Sequence, residues 1–432
     1  MRARGTIGGV SGLVLTAGLA LAGPGRLDAQ GGAAQGADNC RTCHEVITVE
    51  RLAGPVKAYL ADVHAAKGFS CAACHGGDPA VAGFEAMDPA RGFVGVPRGR
   101  TIIQVCGRCH ADAGFMHRYN PALRVDQVTE YQTSVHGQRL AQFGDTAVAT
   151  CASCHPAHGI RPASDPQSSV HPLNVAATCG RCHADATRMA RYGIPTDQRD
   201  RYRESVHWRA LADRGDQSAP TCNDCHGNHG AAPPGVTWVG NVCGQCHAVM
   251  ADYFARSPHS DIFNRMGVPG CATCHSNHAI AAVSDTLLGV GEGTICGRCH
   301  DVGVSGGAVA ATMRAGLDSL GGAFALADSL LTRAERAGME VSQAQVDLGA
   351  AHNALVQARA AIHTFRADSV GAYVASGLDV ADTAIGRGKK ALDDLRFRRV
   401  GLGISVGLIL LLITGLILKI RQLHAPVLEG EP

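Results

Sequence analysis

The sequence predicts a mainly α-helical and irregular fold with little β-sheet, and three observations predict it. The pentapeptide Cys-x-x-Cys-His recurs nine times between residues 40 and 300, which leaves too little chain around each copy for a separate apolar core. Residues 305–399 are Ala-rich, contain no proline and repeat with the spacing of a coiled coil. Residues 400–418 contain no charged side chain and are long enough for a single membrane helix.

Residues 1–29 have the pattern of a secretory signal peptide. Arg2 and Arg4 precede an apolar run over residues 7–22, and Leu27-Asp28-Ala29 resembles a small-residue cleavage site. An uncleaved membrane anchor is the alternative, which the shortness of the run and the Gly-Pro-Gly that ends it disfavour. The sequence therefore predicts export of the residues that follow.

The nine motifs use all 18 cysteines of the chain. Their spacing is typical of c-type haem attachment, in which two thiols bond to the porphyrin and the adjacent imidazole binds the iron. Paired cysteines also bind zinc or form disulfides, but neither explains a histidine after every second cysteine. The predicted haem-binding cysteines are Cys40, Cys43, Cys71, Cys74, Cys106, Cys109, Cys151, Cys154, Cys179, Cys182, Cys222, Cys225, Cys243, Cys246, Cys271, Cys274, Cys296 and Cys299. The predicted proximal iron ligands are His44, His75, His110, His155, His183, His226, His247, His275 and His300.

Residues 30–304 are predicted to form one nonahaem cytochrome c domain with a core of nine covalently bound haem c groups. Only 4% of the residues are aromatic, and 54 residues are glycine. With so few large side chains, the porphyrins must provide most of the buried apolar surface, and short loops must wrap around them. Covalent haem attachment takes place outside the cytoplasm, which agrees with the predicted export.

The motifs fall into two alternating classes. One class reads Cys-Gly-Arg/Gln-Cys-His and begins at Cys106, Cys179, Cys243 and Cys296. The other reads Cys-x-x-Cys-His-x-x-His and has a trailing histidine, at His158, His229 or His278. Between a motif of the first class and the next motif of the second class lies a short phrase ending in a histidine, here called the phrase histidine: Tyr131-Gln-Thr-Ser-Val-His136, Tyr202-Arg-Glu-Ser-Val-His207 and Phe254-Ala-Arg-Ser-Pro-His259.

The first two motifs repeat this arrangement in a degenerate form. Their phrase is Tyr59-Leu-Ala-Asp-Val-His64, and Asp78 stands where the other units have a trailing histidine. The sequence thus consists of four two-haem units followed by an unpaired ninth motif.

A six-coordinate haem iron needs a second axial ligand from elsewhere in the chain. Histidine suits a low-potential electron carrier, because methionine raises the potential. Up to residue 300 there are as many histidines outside the motifs as there are motifs. The predicted second ligands are His64, His136, His158, His171, His207, His229, His259, His278 and His117. His117 has the weakest basis, because the next unit has Ala190 at the corresponding position.

The run from Ser164 to His171, followed by Cys179-Gly-Arg-Cys-His183, resembles the bacterial multihaem c-type cytochromes with doubled haem motifs. The resemblance extends over residues 36–300. It implies a series of closely packed haems, each with two histidine ligands, that passes electrons, and it specifies no substrate. The arrangement of haem motifs followed by long C-terminal helices also resembles, more weakly, the arrangement in cytochrome c nitrite reductases and hydroxylamine oxidoreductases.

Residues 305–399 are predicted to form a helical bundle or stalk of three helices, with breaks near Gly338 and residues 367–369. Two apolar stripes step alternately by three and four residues, as heptads do: Leu317, Leu320, Phe324, Ala327, Leu331, Ala334 and Val341, Ala344, Leu348, Ala351, Leu355, Ala358, Ile362, Phe365. His352 and His363 are three turns apart and are expected to share a helix face. Both histidines are polar residues of the bundle in one interpretation. In the other, one of them is the second ligand of the ninth haem, and we name His363 for this role.

Residues 400–418 are predicted to be one transmembrane helix and residues 419–432 a cytoplasmic tail. Arginines precede the segment, and Lys419 and Arg421 follow it, which is opposite to the positive-inside rule. A large exported domain fixes the orientation regardless of such short flanks, so the haem domain is predicted in the periplasm, anchored to the inner (cytoplasmic) membrane. Gly403 and Gly407 form a GxxxG step, and a homodimer through this step or through the bundle is one option.

The predicted function is electron relay. The net charge of +2 does not indicate a nucleic-acid partner. The expected partners are the lipid bilayer, a membrane quinol dehydrogenase or cytochrome b type protein, and a periplasmic or extracellular redox protein. The alternative is a multihaem oxidoreductase that acts on nitrite, hydroxylamine or another small nitrogen or sulfur substrate at one five-coordinate haem. The first unit, with Asp78 in place of a histidine, is the expected location of such an open iron.

Overall fold

The computed structural model describes residues 38–233, 236 and 238–424. The predicted signal peptide, residues 30–37 of the predicted haem domain and residues 425–432 of the predicted tail lie outside the described residues. The described part of the chain is helical or irregular and contains no strand. The predicted mainly α-helical class is thereby confirmed.

The described part of the chain divides into two compact units, one within Met1–Lys57 and His64–Gly95 and the other within Ala58–Val63 and Val96–Pro432. The α-helices of the described residues are α1 Asn39–Val46, α2 Glu50–Tyr59, α3 Val63–Ala66, α4 Ala72–His75, α5 Arg100–His110, α6 Ala113–Met116, α7 Gln127–Thr133, α8 Val135–Phe143, α9 Cys151–Cys154, α10 Pro172–His183, α11 Ala186–Ala190, α12 Gln198–Arg203, α13 Val206–Arg214, α14 Cys222–His226, α15 Ala248–Ala255, α16 Pro258–Met266, α17 Gly270–His275, α18 Ser305–Arg336, α19 Ser342–Ala361 and α20 Ala367–Leu423. Short 3-10 segments lie at Phe84–Met87, Pro89–Arg91, Val239–Gln245, Asp285–Leu287, Cys296–Arg298 and Ile362–Thr364.

Two helices that carry phrase histidines start from buried serine caps. Ser134 begins α8, where its Oγ accepts a hydrogen bond from the Gly137 N–H at 3.0 Å, and Ser205 begins α13 in the same way with Trp208 at 3.1 Å. Such caps satisfy helix N–H groups that would otherwise lack acceptors. The buried side chains of this region are thus partly polar, which agrees with a core that side chains alone do not fill.

Helices α18, α19 and α20 form a three-helix bundle, as the two breaks in the periodic segment predicted. The predicted stripe residues are its core: Leu317, Leu320, Ala327, Leu331 and Ala334 of α18 are fully buried, as are Ala351 and Ala358 of α19. Alternating large and small side chains let three helices approach closely around one seam. The heptad prediction is therefore confirmed.

Gly377 of α20 marks the closest approach within the bundle. A Cβ at this position would lie 2.8 Å from both terminal carbons of Leu320 and 3.0 Å from the Ala354 Cβ. We expect Gly377→Leu to lower the free energy of unfolding by about 1–3 kcal/mol, because the extra carbons overpack the seam. Urea unfolding of the full chain, followed by far-ultraviolet circular dichroism, measures the change.

Gly386 provides the matched control on the same helix. It is exposed, and a Cβ there would meet no atom within 4 Å. Gly386→Leu is expected to leave stability unchanged or raised by up to about 1 kcal/mol through helix propensity. An equal loss of stability in both variants would contradict the close approach at Gly377.

The motif-bearing residues contact one end of the bundle, where α19 turns into α20. The Arg359 guanidinium donates to the Asp285 carboxylate at 2.8 Å, and Arg314 Nη1 donates to the Asp285 carbonyl at 2.9 Å. The rings of Phe254 and Phe365 meet edge to face, 6.4 Å apart. The bundle is therefore joined to the motif-bearing part by polar and aromatic contacts and is not a separate stalk.

Helix α20 continues past the bundle for a further apolar stretch. Its last buried residue is Ala391, and residues 400–424 are exposed throughout. The helix is the one candidate membrane span among the described residues. The structure therefore has a long apolar C-terminal helix that is a candidate anchor.

Candidate haem sites

Among the described residues, six histidines of the motifs each have a facing histidine from outside the motifs. The ring centroids of each pair are 5.9–6.4 Å apart. The pairs are His155 with His229, His183 with His136, His226 with His278, His247 with His207, His275 with His363, and His300 with His259. Each pair therefore combines one predicted proximal ligand with one predicted second ligand.

The spacing of these rings fits one iron atom between them. An imidazole nitrogen binds a transition metal at about 2 Å, so the centroids of two rings on opposite sides of one metal lie roughly 6 Å apart. Two axial imidazoles leave four positions in a plane, which the porphyrin nitrogens of a haem fill. No group of three or more His, Cys, Asp or Glu side chains suited to a metal ion occurs among the described residues.

The surroundings of the paired rings favour the neutral form that binds metal. Burial is the main cause that lowers the pKa of nine of these imidazoles: His136, His155, His183, His207, His226, His229, His259, His275 and His278. For several of them the facing histidine lowers the pKa further. A neutral imidazole keeps a lone pair for iron, because protonation would occupy it.

Backbone carbonyls orient two of the predicted ligands. The Nδ1 atom of His363 lies 3.0 Å from the Ala360 carbonyl oxygen, and that of His75 lies 2.8 Å from the Gly95 carbonyl oxygen. An Nδ1–H group that donates to a carbonyl fixes the ring and leaves Nε2 free to bind a metal.

The pairs follow a reciprocal exchange between successive two-haem units. A phrase histidine faces a motif of the following unit, as His136 faces His183 and His207 faces His247. A trailing histidine faces a motif of the preceding unit, as His229 faces His155 and His278 faces His226. Sequence reasoning identified these histidines but not the motif that each one faces.

Hydrogen bonds between repeated segments hold this register. The N–H of Val206, beside a phrase histidine, donates to the carbonyl of Ile280, two residues after the trailing His278. The N–H of Val63 donates in the same way to Ile160, and the Ala231 N–H donates to Thr133 Oγ1. The phrase of one unit and the trailing segment of the next unit are therefore bound together. This places the phrase or trailing histidine of one unit beside a motif of the adjacent unit.

The tyrosine of the phrase also has a structural role. The Tyr131 hydroxyl donates to the Ala149 carbonyl at 2.8 Å, and the Tyr202 hydroxyl donates to the Pro220 carbonyl at 2.9 Å. Both carbonyls lie two residues before a Cys-x-x-Cys-His motif. The tyrosine thus positions the start of the next motif.

Asp78 takes a different place from the one expected. The expectation was that Asp78 replaces a ligand of its own unit and marks an open iron there. In the observed pairs a trailing histidine faces the preceding unit, so Asp78 is not at the position of a ligand for the motif it follows. Its carboxylate instead accepts hydrogen bonds from Arg91 Nη1 at 2.8 Å and from the Ala80 N–H at 3.1 Å.

The two histidines of the bundle also differ from the expectation. They do not share a helix face, because α19 ends at Ala361 and His363 lies in the following 3-10 turn. His363 faces His275 of the eighth motif and not the ninth, whose His300 faces His259. His352 stays in α19 with its ring 5.6 Å from Phe324.

The remaining predicted second ligands are placed as follows. His64 lies in α3, and His158 follows α9 at the trailing position. His117 Nε2 is 3.1 Å from the Leu123 carbonyl, and buried His171 caps α10, where its Nδ1 accepts a hydrogen bond from the Leu173 N–H. The structure does not bring His117 or His171 to a motif ring within the described ranges, so iron binding by these two stays a prediction.

The cysteines of successive motifs lie side by side in sequence order. Hydrogen bonding to the Cys106 thiol lowers the pKa of Cys151 to about 7, and the same interaction with Cys271 lowers that of Cys243 to about 6. Cys179 and Cys222 form a third such pair, in which the pKa of Cys222 is lowered.

Further cysteine neighbours link the thiol pairs to one another. Burial, and then the charge of Cys243, raises the pKa of Cys225 to about 11. Burial and the neighbouring cysteine likewise raise the pKa of Cys154, beside Cys179, and of Cys274, beside Cys296. The predicted attachment points from Cys106 to Cys296 therefore form one continuous series.

Two family models match parts of the chain. A model of cytochrome c7 and related cytochrome c matches residues 28–111, and a model of cytochrome c3 matches residues 216–301. No curated protein and no solved structure gives a match. The matched ranges contain seven of the nine motifs. These matches and the paired histidines support covalently bound haem c and electron transfer.

Proposed function

We propose that this multihaem c-type cytochrome is a membrane-anchored relay that passes electrons along nine haems outside the cytoplasm. The six pairs of facing histidines are the observation that supports it most directly. They would give six irons two imidazoles each, which suits electron transfer better than binding of a substrate.

The continuous series of thiols favours a relay, and it argues against a set of independent sites. When bound, haem c supplies a one-electron Fe(III)/Fe(II) couple at each position. These cysteines would hold each haem beside the attachment point of the next, since Cys106 lies beside Cys151 and Cys154 beside Cys179. The exchanged histidines link each unit to the next, which supports a fixed order of sites along the series.

The ligand type supports carriers of low potential. Histidine on both sides of an iron gives a lower potential than histidine with methionine. All six pairs consist of two histidines. We therefore propose a donor at the level of quinols or a quinol-oxidising cytochrome b.

The length of α20 favours a protein partner over a quinol dissolved in the bilayer. From Ala367 to the start of the apolar segment at Val400, the helix rises about 50 Å. The histidines nearest the bundle, His363 and His259, lie at the end of the bundle remote from that segment. Because electron transfer slows steeply with distance, we propose that a protein standing above the bilayer connects the quinol pool to the haem series.

The spin state of the iron tests the relay directly. We expect nine haems per chain by pyridine haemochrome assay and a ferric protein that is low-spin throughout, because the proposed relay gives each iron two protein ligands. We also expect no carbon monoxide binding by the ferrous protein. A high-spin fraction of one haem in nine that binds carbon monoxide would favour the multihaem oxidoreductase instead, and a haem count well below nine would contradict both.

A further inference from the structure

The turn between α19 and α20 contacts two predicted haem sites at once. His363 in this turn faces His275, with ring centroids 6.0 Å apart. Two residues later, the Phe365 ring lies against His259 with a centroid distance of 3.9 Å, which is the shortest ring contact of any paired histidine described here. The bundle therefore reaches both the eighth and the ninth motif through one short segment.

The backbone of this turn is held in an unusual conformation. Phe365 has a φ of 53°, in the left-handed region that side chains other than glycine rarely adopt. Three hydrogen bonds fix it: Phe365 N–H to the Ile362 carbonyl, Arg366 N–H to Thr364 Oγ1, and the Thr364 hydroxyl to the Ala361 carbonyl. Strained conformations that the surrounding structure maintains are concentrated at functional positions.

No polar contact fixes the rotation of the His259 ring. Its Nδ1 atom is buried and has no hydrogen-bond partner among the described residues. By contrast, the Nδ1 atom of His363 is beside the Ala360 carbonyl. The orientation of His259 must therefore come from packing, to which Phe365 and the edge-to-face ring of Phe263, 5.6 Å away, contribute.

His259 is also the most strongly crossed of the paired rings. Its plane makes an angle of 77° with that of His300. The pairs that use a trailing histidine or His363 are near parallel, at 17°, 16° and 27°. The other two pairs with a phrase histidine lie between, at 59° and 40°.

We propose that Phe365 is a positioning residue for the ninth haem, because it holds His259 crosswise to His300. The bundle would then control the ligand geometry at the last iron of the series, in addition to providing His363 at the eighth. This inference rests on the proposed function, since it requires a haem between His259 and His300.

The angle between two axial imidazoles has a spectroscopic consequence. Each ring donates π density into the iron d orbital perpendicular to its plane. Two parallel rings act on the same orbital and split the dxz and dyz pair, which gives a rhombic low-spin spectrum. Two crossed rings act on both orbitals and leave them nearly degenerate, which gives a single feature at a large g value.

Electron paramagnetic resonance of the oxidised full-length protein tests the role of Phe365. The ninth-haem signal is first assigned as the large-g feature that His259→Ala removes. Phe365→Asn then deletes the ring while keeping a residue that tolerates the left-handed backbone. We expect the assigned feature to move toward the rhombic region and one reduction potential to shift, with the other low-spin signals unchanged. Phe365→Tyr should restore both.

Phe324 provides a matched control in the same bundle. Its ring lies 5.6 Å from His352, which faces no motif histidine among the described residues. Phe324→Ala should leave the large-g feature in place. An unchanged feature in Phe365→Asn would overturn the proposal, as would an equal change in Phe324→Ala. A wild-type protein with fewer than nine haems would count against the proposed function instead.

Discussion

Replacement of His363 by alanine is expected to convert one haem in nine from low-spin to high-spin. His363 faces His275 at 6.0 Å, and its Nδ1 is oriented by the Ala360 carbonyl, so its removal takes away one axial ligand. The position vacated is half-buried at the end of the bundle, and His275 faces no other histidine within the part of the chain that the structure describes. Electron paramagnetic resonance and carbon monoxide binding by the ferrous protein measure the effect.

Two further variants make this result specific. His352→Ala removes the other bundle histidine, which contacts Phe324 and should leave all irons low-spin. His363→Met should keep the eighth iron low-spin but raise its potential, because a thioether is the weaker donor to ferric iron. If His363→Ala binds no carbon monoxide while the haem count stays at nine, His363 is not an iron ligand.

A chain that ends at Leu395 is expected to leave the membrane with its haem spectrum unchanged. This truncation keeps the buried face of α20, whose last buried residue is Ala391, and removes the exposed apolar segment. That segment is rich in Leu, Ile and Val, each of which favours insertion by about 0.3–0.6 kcal/mol at the centre of a membrane helix. Fractionation of cells and the absorbance of the reduced haems in each fraction provide the measurement.

The same truncation tests whether the protein can accept electrons without its membrane anchor. Dithionite should reduce the truncated protein as fully as the intact one, whereas reduction by isolated membranes supplied with a respiratory donor should be much slower. A chain that ends at Leu423 retains the apolar segment and serves as the control. If the chain ending at Leu395 stays with the membrane, the anchor lies elsewhere in the protein.

Much of the fold could be predicted because its signals are local. The cysteine motifs are contiguous pentapeptides, and the stripes of α18 and α19 repeat every three or four residues, so both are visible without a partner segment. The exposed apolar end of α20 is visible for the same reason. The break near Gly338 lies between α18 and α19 as expected, whereas the second break lies at residues 362–366, just before the predicted residues 367–369, which begin α20.

The placement of His363 could not be predicted, because it depends on where the bundle docks. Sequence spacing put His352 and His363 on one continuous helix, whereas α19 ends at Ala361 and a 3-10 turn carries His363 away from that face. The contact of Arg359 with Asp285 then brings this turn to the eighth motif. Neither the end of α19 at Ala361 nor the ion pair of Arg359 with Asp285 is indicated by a repeating pattern in the sequence.

By itself the sequence determined the number of attachment motifs, the set of spare histidines, the helical stripes and the apolar segment, since each depends on residues close together in the chain. Only the tertiary structure decided which histidine faces which motif. That choice depends on hydrogen bonds between segments far apart, such as Val206 with Ile280, which bind the phrase of one unit to the trailing segment of the next. The facing histidines are exchanged between neighbouring units for this reason, and at the eighth motif the bundle provides the facing histidine, His363.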